Sequence, residues 1–73
     1  MRITIESTSK IVNANGIDCR IWEGFTERGI KVECLIPRIA ARADQDLSQF
    51  EAELQECREP SADAQAFPTR MVL

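Results

Sequence analysis

The dipeptide Asn15-Gly16 constrains the fold of this chain more than any other feature, because it separates two apolar, β-branched runs. Asn-Gly is the preferred pair for a two-residue type I′ turn, in which both central residues need a positive φ. A slip of one residue in the resulting hairpin moves its apolar side chains to the other face, so the register should be firmly set. Counting outward from the turn predicts these pairs on one mostly apolar face: Ala14 with Ile17, Val12 with Cys19, and Lys10 with Ile21.

The alternate residues of the hairpin form a second face, with Asn13 opposite Asp18, Ile11 opposite Arg20, and Trp22 beyond them. A third run, 30–36, alternates in the same way. Pro37, which cannot donate to a strand ladder, either ends this strand or lies at an edge or a bulge beyond which residues 38–40 resume it. The residues of the run divide into an apolar series and a charged one: Ile30, Val32, Cys34 and Ile36, against Lys31 and Glu33. We therefore expect an antiparallel meander with one buried face.

At the start of the chain, Ile3 and Ile5 alternate with polar residues and predict a strand. The polar run 7–9 either breaks this strand or lies within a single long bent strand that continues to Asn13. Both alternatives stay open at this point.

The only convincing helix lies between residues 45 and 58. Asp44 or Asp46 offers its N-cap, and Pro60 stops it. Segment 61–66 is small and polar enough to be a linker, and 67–73 turns apolar, either adding a strand to the sheet or docking on a neighbouring subunit. One apolar stripe runs along the helix, formed by Leu47, Phe50, Leu54 and Cys57.

The predicted fold is a single α+β domain over residues 1–73, an antiparallel three- to four-stranded meander with one amphipathic helix packed on it. The expected elements are strands at about 2–13, 17–24 and 29–36, a helix at about 45–58 and a C-terminal tail at 61–73. A chain of this size buries only about 60% of the surface that its unfolded form exposes. We therefore predict that it gains further burial as a homo-oligomer.

Composition excludes several classes of protein. The formal net charge of −3 argues against binding to nucleic acid through phosphate neutralisation. Three widely spaced cysteines do not form a secreted disulfide framework, and we expect all three to be small core residues. No secretory signal and no membrane-spanning run is recognisable, so a cytoplasmic setting is expected.

The inventory of catalytic groups is thin, since the chain has no histidine and no tyrosine. The cysteines form no C-x-x-C pair, and the glycines spell no phosphate-binding loop. We predict no enzymatic activity, no metal and no cofactor.

Trp22 is the most informative single residue. It either closes a second small core or forms a contact with a partner, since Trp beside Arg is enriched at binding hot spots. Its indole beside Arg20 can also stack a planar ligand whose phosphate the arginine holds. The candidate binding residues are Trp22, Arg20, Phe25, Arg28 and Arg38.

The order of several short segments resembles that of small accessory proteins encoded in tailed phages and prophages of Gram-negative bacteria. The segments are Ile21-Trp22-Glu23-Gly24, Thr26-Glu27 ahead of Gly29-Ile30, Arg38-Ile39-Ala40, the helix stretch 48–56, and Arg70-Met71. The resemblance implies a protein made in the cytoplasm of the bacterial host and carries no site residues with it.

Small acidic proteins of that setting often act by binding, so we expect a non-enzymatic accessory protein. In the leading hypothesis it inhibits a host defence protein through a patch around Trp22 and Phe25. In the alternative, an oligomer sequesters a nucleotide-like signal molecule, with Arg20, Arg28 or Arg38 on its phosphate. A structural or morphogenetic role in the virion is the third hypothesis.

Overall fold

The computed structural model of the chain describes residues 1–44 and 46–66. Within them, three strands form one antiparallel sheet in the order β1-β2-β3. The elements are β1 (Ile3–Ala14), β2 (Ile17–Thr26), β3 (Lys31–Ile36), α1 (Leu47–Leu54) and α2 (Ala62–Gln65). The predicted α+β class is confirmed at this level, with two short helices after the meander.

The Asn15-Gly16 turn forms as predicted, with φ values of 53° and 85°. Asn13 supports it from both sides, since its side chain accepts a hydrogen bond from Gly16 N at 3.0 Å and donates one to Asp18 at 3.2 Å. Four predicted pairs of the hairpin are present: Ile11 with Arg20, Val12 with Cys19, Asn13 with Asp18, and Ala14 with Ile17.

The predicted pairing of Lys10 with Ile21 is wrong, because β1 carries an irregularity at this point. Ser7 pairs with Trp22 and Ile11 pairs with Arg20, so the three residues 8–10 stand opposite Ile21 alone. β1 is thus the single long strand of the two alternatives, with two extra residues in its middle. An even number of extra residues keeps Ser7 and Ile11 on the same face of the sheet.

Thr8 holds this irregularity together from a fully buried position. Its hydroxyl donates to the Ile21 carbonyl at 2.7 Å and accepts from Lys10 N at 3.3 Å. These bonds satisfy backbone groups that the broken ladder leaves unpaired, which is the general requirement for burying such a feature.

The expectation that the apolar series of β2 and β3 lie together on the one buried face is wrong, because β3 pairs with β2 in an offset that alternation alone does not reveal. Cys34 lies opposite Trp22, while Leu35 lies opposite Ile21. Residues directly opposite one another share a face. The apolar series of β3 (Val32, Cys34 and Ile36) therefore lies on the Trp22 face, and the apolar residues of β2 (Cys19 and Ile21) lie on the other, which we call the Glu23 face.

The segment after α1 departs most from the sequence-based expectations. The N-cap of α1 is Asp46, one of the two predicted alternatives, whose carboxylate accepts from Ser48 N, but the helix ends at Leu54 rather than near 58. The helix stops early because residues 56–58 bond to the outer edge of β1. Arg58 N donates to the Ser7 carbonyl at 3.1 Å, and Ser9 N donates to the Arg58 carbonyl at 2.9 Å.

The expected linker 61–66 contains α2 instead. Ser61 caps this helical turn, and Ala64 is fully buried. Both features arise because the chain crosses from the β1 edge onto the Glu23 face, where a small side chain fits against the sheet. Residues 67–73, which were expected to add a strand or to dock on a neighbouring subunit, lie outside the described residues.

The core is small. In the described part of the chain only three apolar residues are buried, namely Cys19, Ile21 and Ala64. The prediction that all three cysteines are core residues is correct for Cys19 alone, since Cys34 is half-buried and Cys57 is exposed. Cys34 is not buried because it lies on the open Trp22 face. Cys57 is not buried because α1 ends before it. Several large apolar side chains stay exposed, including Phe25, Ile30 and Leu54.

Candidate functional site

A groove of about 770 Å³ lies between the Trp22 face of the sheet and α1. We call it the Trp22 groove. Its floor comes from the sheet and from the segment after β3, and its opposite wall comes from α1 and the residues that follow it. The lining residues are Glu6, Ser7, Ile11, Asp18, Arg20, Trp22, Ile36, Pro37, Arg38, Ile39, Phe50, Glu53, Leu54, Glu56, Cys57 and Arg58.

Trp22 and Arg20 form the centre of the floor, two residues apart on β2 and therefore side by side on one face. Both are half-buried. The Arg20 guanidinium donates to the Thr8 carbonyl at 2.8 Å, so the irregularity in β1 fixes the position of this charge. One of the five guanidinium N–H donors is used in this bond, which leaves others for the groove.

Arg38 reaches the rim because Pro37 ends β3 and turns the chain across the end of the sheet. Arg38 is exposed, and it makes no ion pair with residues 1–44 or 46–66. Across the groove, Phe50 and Leu54 present part of the apolar stripe of α1. No residue of α1 is buried, so the helix frames an open space above the sheet.

The two remaining candidates from sequence lie elsewhere. Phe25 is an odd number of residues from Trp22 along an unbroken ladder, so it lies on the Glu23 face, where it is 53% exposed. Arg28 lies in the turn before β3, whereas Arg38 follows β3. Six strand residues separate these two arginines by about 20 Å at roughly 3.3 Å per residue. The structure thus brings together Trp22, Arg20 and Arg38, and not Phe25 or Arg28.

Glu23 is the site residue that sequence reasoning missed. Its side chain is 2% exposed at the centre of the face opposite the groove. Its carboxylate accepts from Arg58 Nη1 at 3.1 Å, from Ser61 N at 2.9 Å and from the Ser61 hydroxyl. We call this set of three residues the Glu23 latch. The signal in the sequence was an acid in the same alternation series as Cys19 and Ile21, because a carboxylate at an inward position must be paired.

The protonation of Glu23 follows from this environment. Burial opposes ionisation and acts to raise its pKa, but the hydrogen bonds from Ser61 and the charge of Arg58 outweigh it. The pKa of Glu23 therefore lies below its ordinary value. The latch is a charged, fully bonded group at neutral pH, and it holds residues 58–61 on the sheet.

Charges of both signs line the Trp22 groove, with three arginines among four acids: Arg20, Arg38 and Arg58, and Glu6, Asp18, Glu53 and Glu56. Asp18 lies on the floor two residues from Arg20 in β2, Glu6 belongs to β1, and Glu53 and Glu56 belong to the wall formed by α1 and the residues after it. Within the described residues, no three Cys, Asp or Glu side chains come together in a group able to hold a metal ion.

Comparisons with protein-family models, with curated proteins and with solved structures find no match to this chain. None of the helices in residues 1–44 and 46–66 is long and apolar enough to cross a membrane. The function of this chain is therefore inferred from the geometry of the groove and of the sheet.

Proposed function

We propose that this chain is a non-enzymatic binding protein of a tailed phage or prophage, acting in the cytoplasm of the bacterial host. Its ligand is a small molecule with a planar ring and an anionic group, of the nucleotide class, held in the Trp22 groove. Of the functions predicted from sequence, this is sequestration of a nucleotide-like signal. The observation that carries the proposal is the grouping of Trp22, Arg20 and Arg38 in one groove.

The size of the groove supports a small-molecule ligand. Sites for small molecules and cofactors usually have volumes of roughly 300–1,000 Å³ and are mainly apolar, with a few convergent polar groups. The Trp22 groove, at about 770 Å³, lies within that range. Its apolar part comes from Trp22, Ile36 and Phe50, and its donors come from Arg20 and Arg38.

The chemistry of the floor supports a planar anion. An indole offers an aromatic face for stacking, which contributes about 1–3 kcal/mol per base in single-stranded nucleic-acid complexes. A guanidinium beside it matches the geometry of a phosphate or carboxylate and can bond it in a bidentate manner. Because Thr8 fixes Arg20 before any ligand arrives, less side-chain entropy is lost on binding.

The arrangement supports binding rather than turnover. The chain contains no histidine and no tyrosine, so the commonest general base is missing from the groove. In this proposal the predicted packing of α1 on the sheet is completed through the ligand, since Phe50 and Leu54 approach the ring that rests on Trp22.

The experiment uses Trp22 as an internal probe, because it is the only tryptophan in the chain. Native mass spectrometry of protein purified gently from bacteria first shows whether a reproducible mass of a few hundred daltons is carried. Mono-, di- and cyclic nucleotides are then titrated while Trp22 fluorescence is recorded. We expect quenching that saturates, and a loss of affinity of about tenfold or more for Arg38→Ala.

Arg28→Ala is the matched control for that loss. It removes the same charge from an exposed turn outside the groove, so it should leave the affinity within about twofold. Equal weakening by both variants would indicate general charge attraction rather than a site. No saturable quenching with any nucleotide, together with a clean native mass, would contradict the proposal.

A second candidate function has its own observation. Phe25 and Ile30 flank the turn between β2 and β3 and are 53% and 62% exposed. By alternation the two side chains lie on opposite faces, so this candidate depends on Phe25, an exposed aromatic residue of the kind enriched at protein contacts. Such a contact is in keeping with the hypothesis of a host defence protein. Capture of a host protein by the wild type and by Trp22→Ala, but not by Phe25→Ala, would favour this candidate over the groove.

A further inference from the structure

The two outer edges of the sheet differ. The outer edge of β1 is bonded to residues 56–58 of the same chain through Ser7 and Ser9. β3 is the other end of the strand order, and within residues 1–44 and 46–66 no strand pairs with its outer edge. An open edge presents a row of backbone donors and acceptors that favour pairing with another strand.

We propose that the outer edge of β3 is a homodimer interface, at which two copies of this chain join their sheets into one continuous six-stranded sheet through antiparallel β3 strands. The interface goes beyond the proposed ligand site and does not depend on it. A second copy is the occupant favoured by three features, namely the symmetry of the strand, its charges and the small core of the monomer.

Symmetry limits how two β3 strands pair. Antiparallel strands related by a two-fold axis keep the same face of each sheet on the same side, so facing residues come from the same alternation series. Two registers then pair most of β3, one centred on Cys34 and one centred on Glu33. The Glu33 register places two like charges directly opposite each other, which is destabilising.

The Cys34 register avoids that repulsion. It places Val32 opposite Ile36 of the partner on the Trp22 face, and Glu33 opposite Leu35 of the partner on the Glu23 face. It also places the two Cys34 residues opposite each other on the axis. The floors of the two Trp22 grooves then continue into one another, because Ile36 lines each groove.

The small core explains why a dimer would be favoured. Only Cys19, Ile21 and Ala64 are buried apolar residues in the described part of the chain, whereas Val32, Cys34, Leu35 and Ile36 of the edge strand are only half-buried. Domains of this size usually need an additional source of burial. Pairing β3 covers these four side chains from the side and satisfies the backbone groups of the edge.

Cys34 provides a direct test with the full chain. Facing Cα atoms of antiparallel strands lie about 4.5–5.5 Å apart, within the span of about 4.4–6.8 Å that a disulfide bridges. Cys57→Ser leaves Cys34 with the buried Cys19, and Cys34→Ser leaves the exposed Cys57 as a control for random collision. Burial and the charge of Glu33 raise the pKa of the Cys34 thiol, so chance encounters should oxidise Cys57 faster.

The measurement is covalent dimer formation at low micromolar protein with a copper–phenanthroline oxidant, followed by non-reducing electrophoresis. We expect Cys57→Ser to cross-link at least tenfold faster than Cys34→Ser. A third variant, Cys57→Ser with Cys34→Ser and Glu33→Cys, should cross-link slowly, because residue 33 faces residue 35 of the partner. Faster cross-linking through Cys57, or through position 33 than through Cys34, would overturn the proposal.

A pair of charge variants tests the same register without cysteine chemistry. Val32→Lys with Ile36→Glu places opposite charges across the interface, and Val32→Lys with Ile36→Lys places like charges there. Sedimentation equilibrium should show dimers for the first variant and monomers for the second, with circular dichroism confirming that both are folded. Equal dimerisation of the two variants, or a wild type that stays monomeric at every concentration, would overturn the proposal and assign the edge to another occupant.

Discussion

The two faces of the sheet differ in how far the rest of the chain covers them. The Glu23 face is covered by the chain itself, where the Glu23 latch fixes Arg58 and Ser61 and Ala64 packs against the sheet. The Trp22 face carries as many apolar residues, but α1 stands above it and leaves a groove of about 770 Å³. A buried and fully bonded carboxylate thus closes one face, and apolar side chains without such a latch leave the other open to a ligand.

The largest effect is expected from Gly24→Ala. A Cβ at Gly24 would lie 1.7 Å from the Thr4 carbonyl oxygen, which is backbone and cannot move without breaking the β1–β2 ladder. Overpacking typically costs about 1–3 kcal/mol of unfolding free energy, and we expect a loss at or above the upper end because the clash is with backbone. Urea denaturation measures it, and Gly16→Ala is the control, since its Cβ meets no atom and its cost comes only from the positive φ. Equal losses at the two positions would contradict a steric cause at Gly24.

Truncating the neighbouring residues Ile21 and Trp22 compares the stability contributed by the two faces. Ile21→Ala removes a fully buried side chain from the closed face and should cost about 3 kcal/mol, within the usual range for such truncations. Trp22→Ala removes a larger but half-buried side chain from the open groove, and we expect a loss of about 1 kcal/mol. Thermal unfolding of both variants measures the two losses. A larger loss for Trp22→Ala would mean that the Trp22 face is the main core.

Glu23→Gln tests the latch itself. The substitution keeps the shape but removes the charge, and it weakens the bonds to Ser61 and Arg58, so we expect a loss of about 2 kcal/mol. Glu33→Gln, on the same face and directly opposite, is the control and should change stability by less than about 0.5 kcal/mol. Hydrogen exchange of the Ser61 amide should rise in the first variant only. Similar stability losses in the two variants would argue against the latch.

The latch also predicts how stability depends on pH. Because the folded pKa of Glu23 is below its unfolded value of about 4.5, its contribution is fully present above that value. It is lost as the pH falls from that value through the folded pKa, since folding must then release a proton that the unfolded chain binds. Denaturation midpoints below pH 4.5 should fall more steeply for the wild type than for Glu23→Gln. Parallel curves would mean that other carboxylates control the acid limb.

Much of the hairpin was predictable from residues close together in the chain. The turn needs two positive φ values, which Asn15 and Gly16 supply, and the alternation on either side sets four of the pairs. The candidate site was predictable in part, since Trp22 and Arg20 share a face by alternation alone. Arg38 joins them only because Pro37 ends β3 next to that face.

The sequence-based predictions that were wrong have a common cause. Alternation identifies which residues of a strand share a face, but the offset between β2 and β3 decides which faces merge, and the intervening turn sets that offset through its backbone conformation. Thr8 likewise accommodates the two extra residues of β1 through its hydrogen bonds to Ile21 and Lys10, and no local sequence pattern predicts this arrangement. Such features depend on atoms that are distant in sequence.

The sequence by itself therefore determined the turn and the alternation of each strand, and it narrowed the cap of α1 to Asp44 or Asp46. These features depend on local dihedral preferences and on the spacing of apolar side chains. Only the tertiary structure decided that α1 ends at Leu54, that residues 61–66 cover the Glu23 face, and that the Trp22 face stays open. The physical reason is the burial of the Glu23 carboxylate. Its charge is stable in the interior only with Arg58 and Ser61 bonded to it, so it holds residues 58–61, distant in sequence, on one face and leaves the groove on the other.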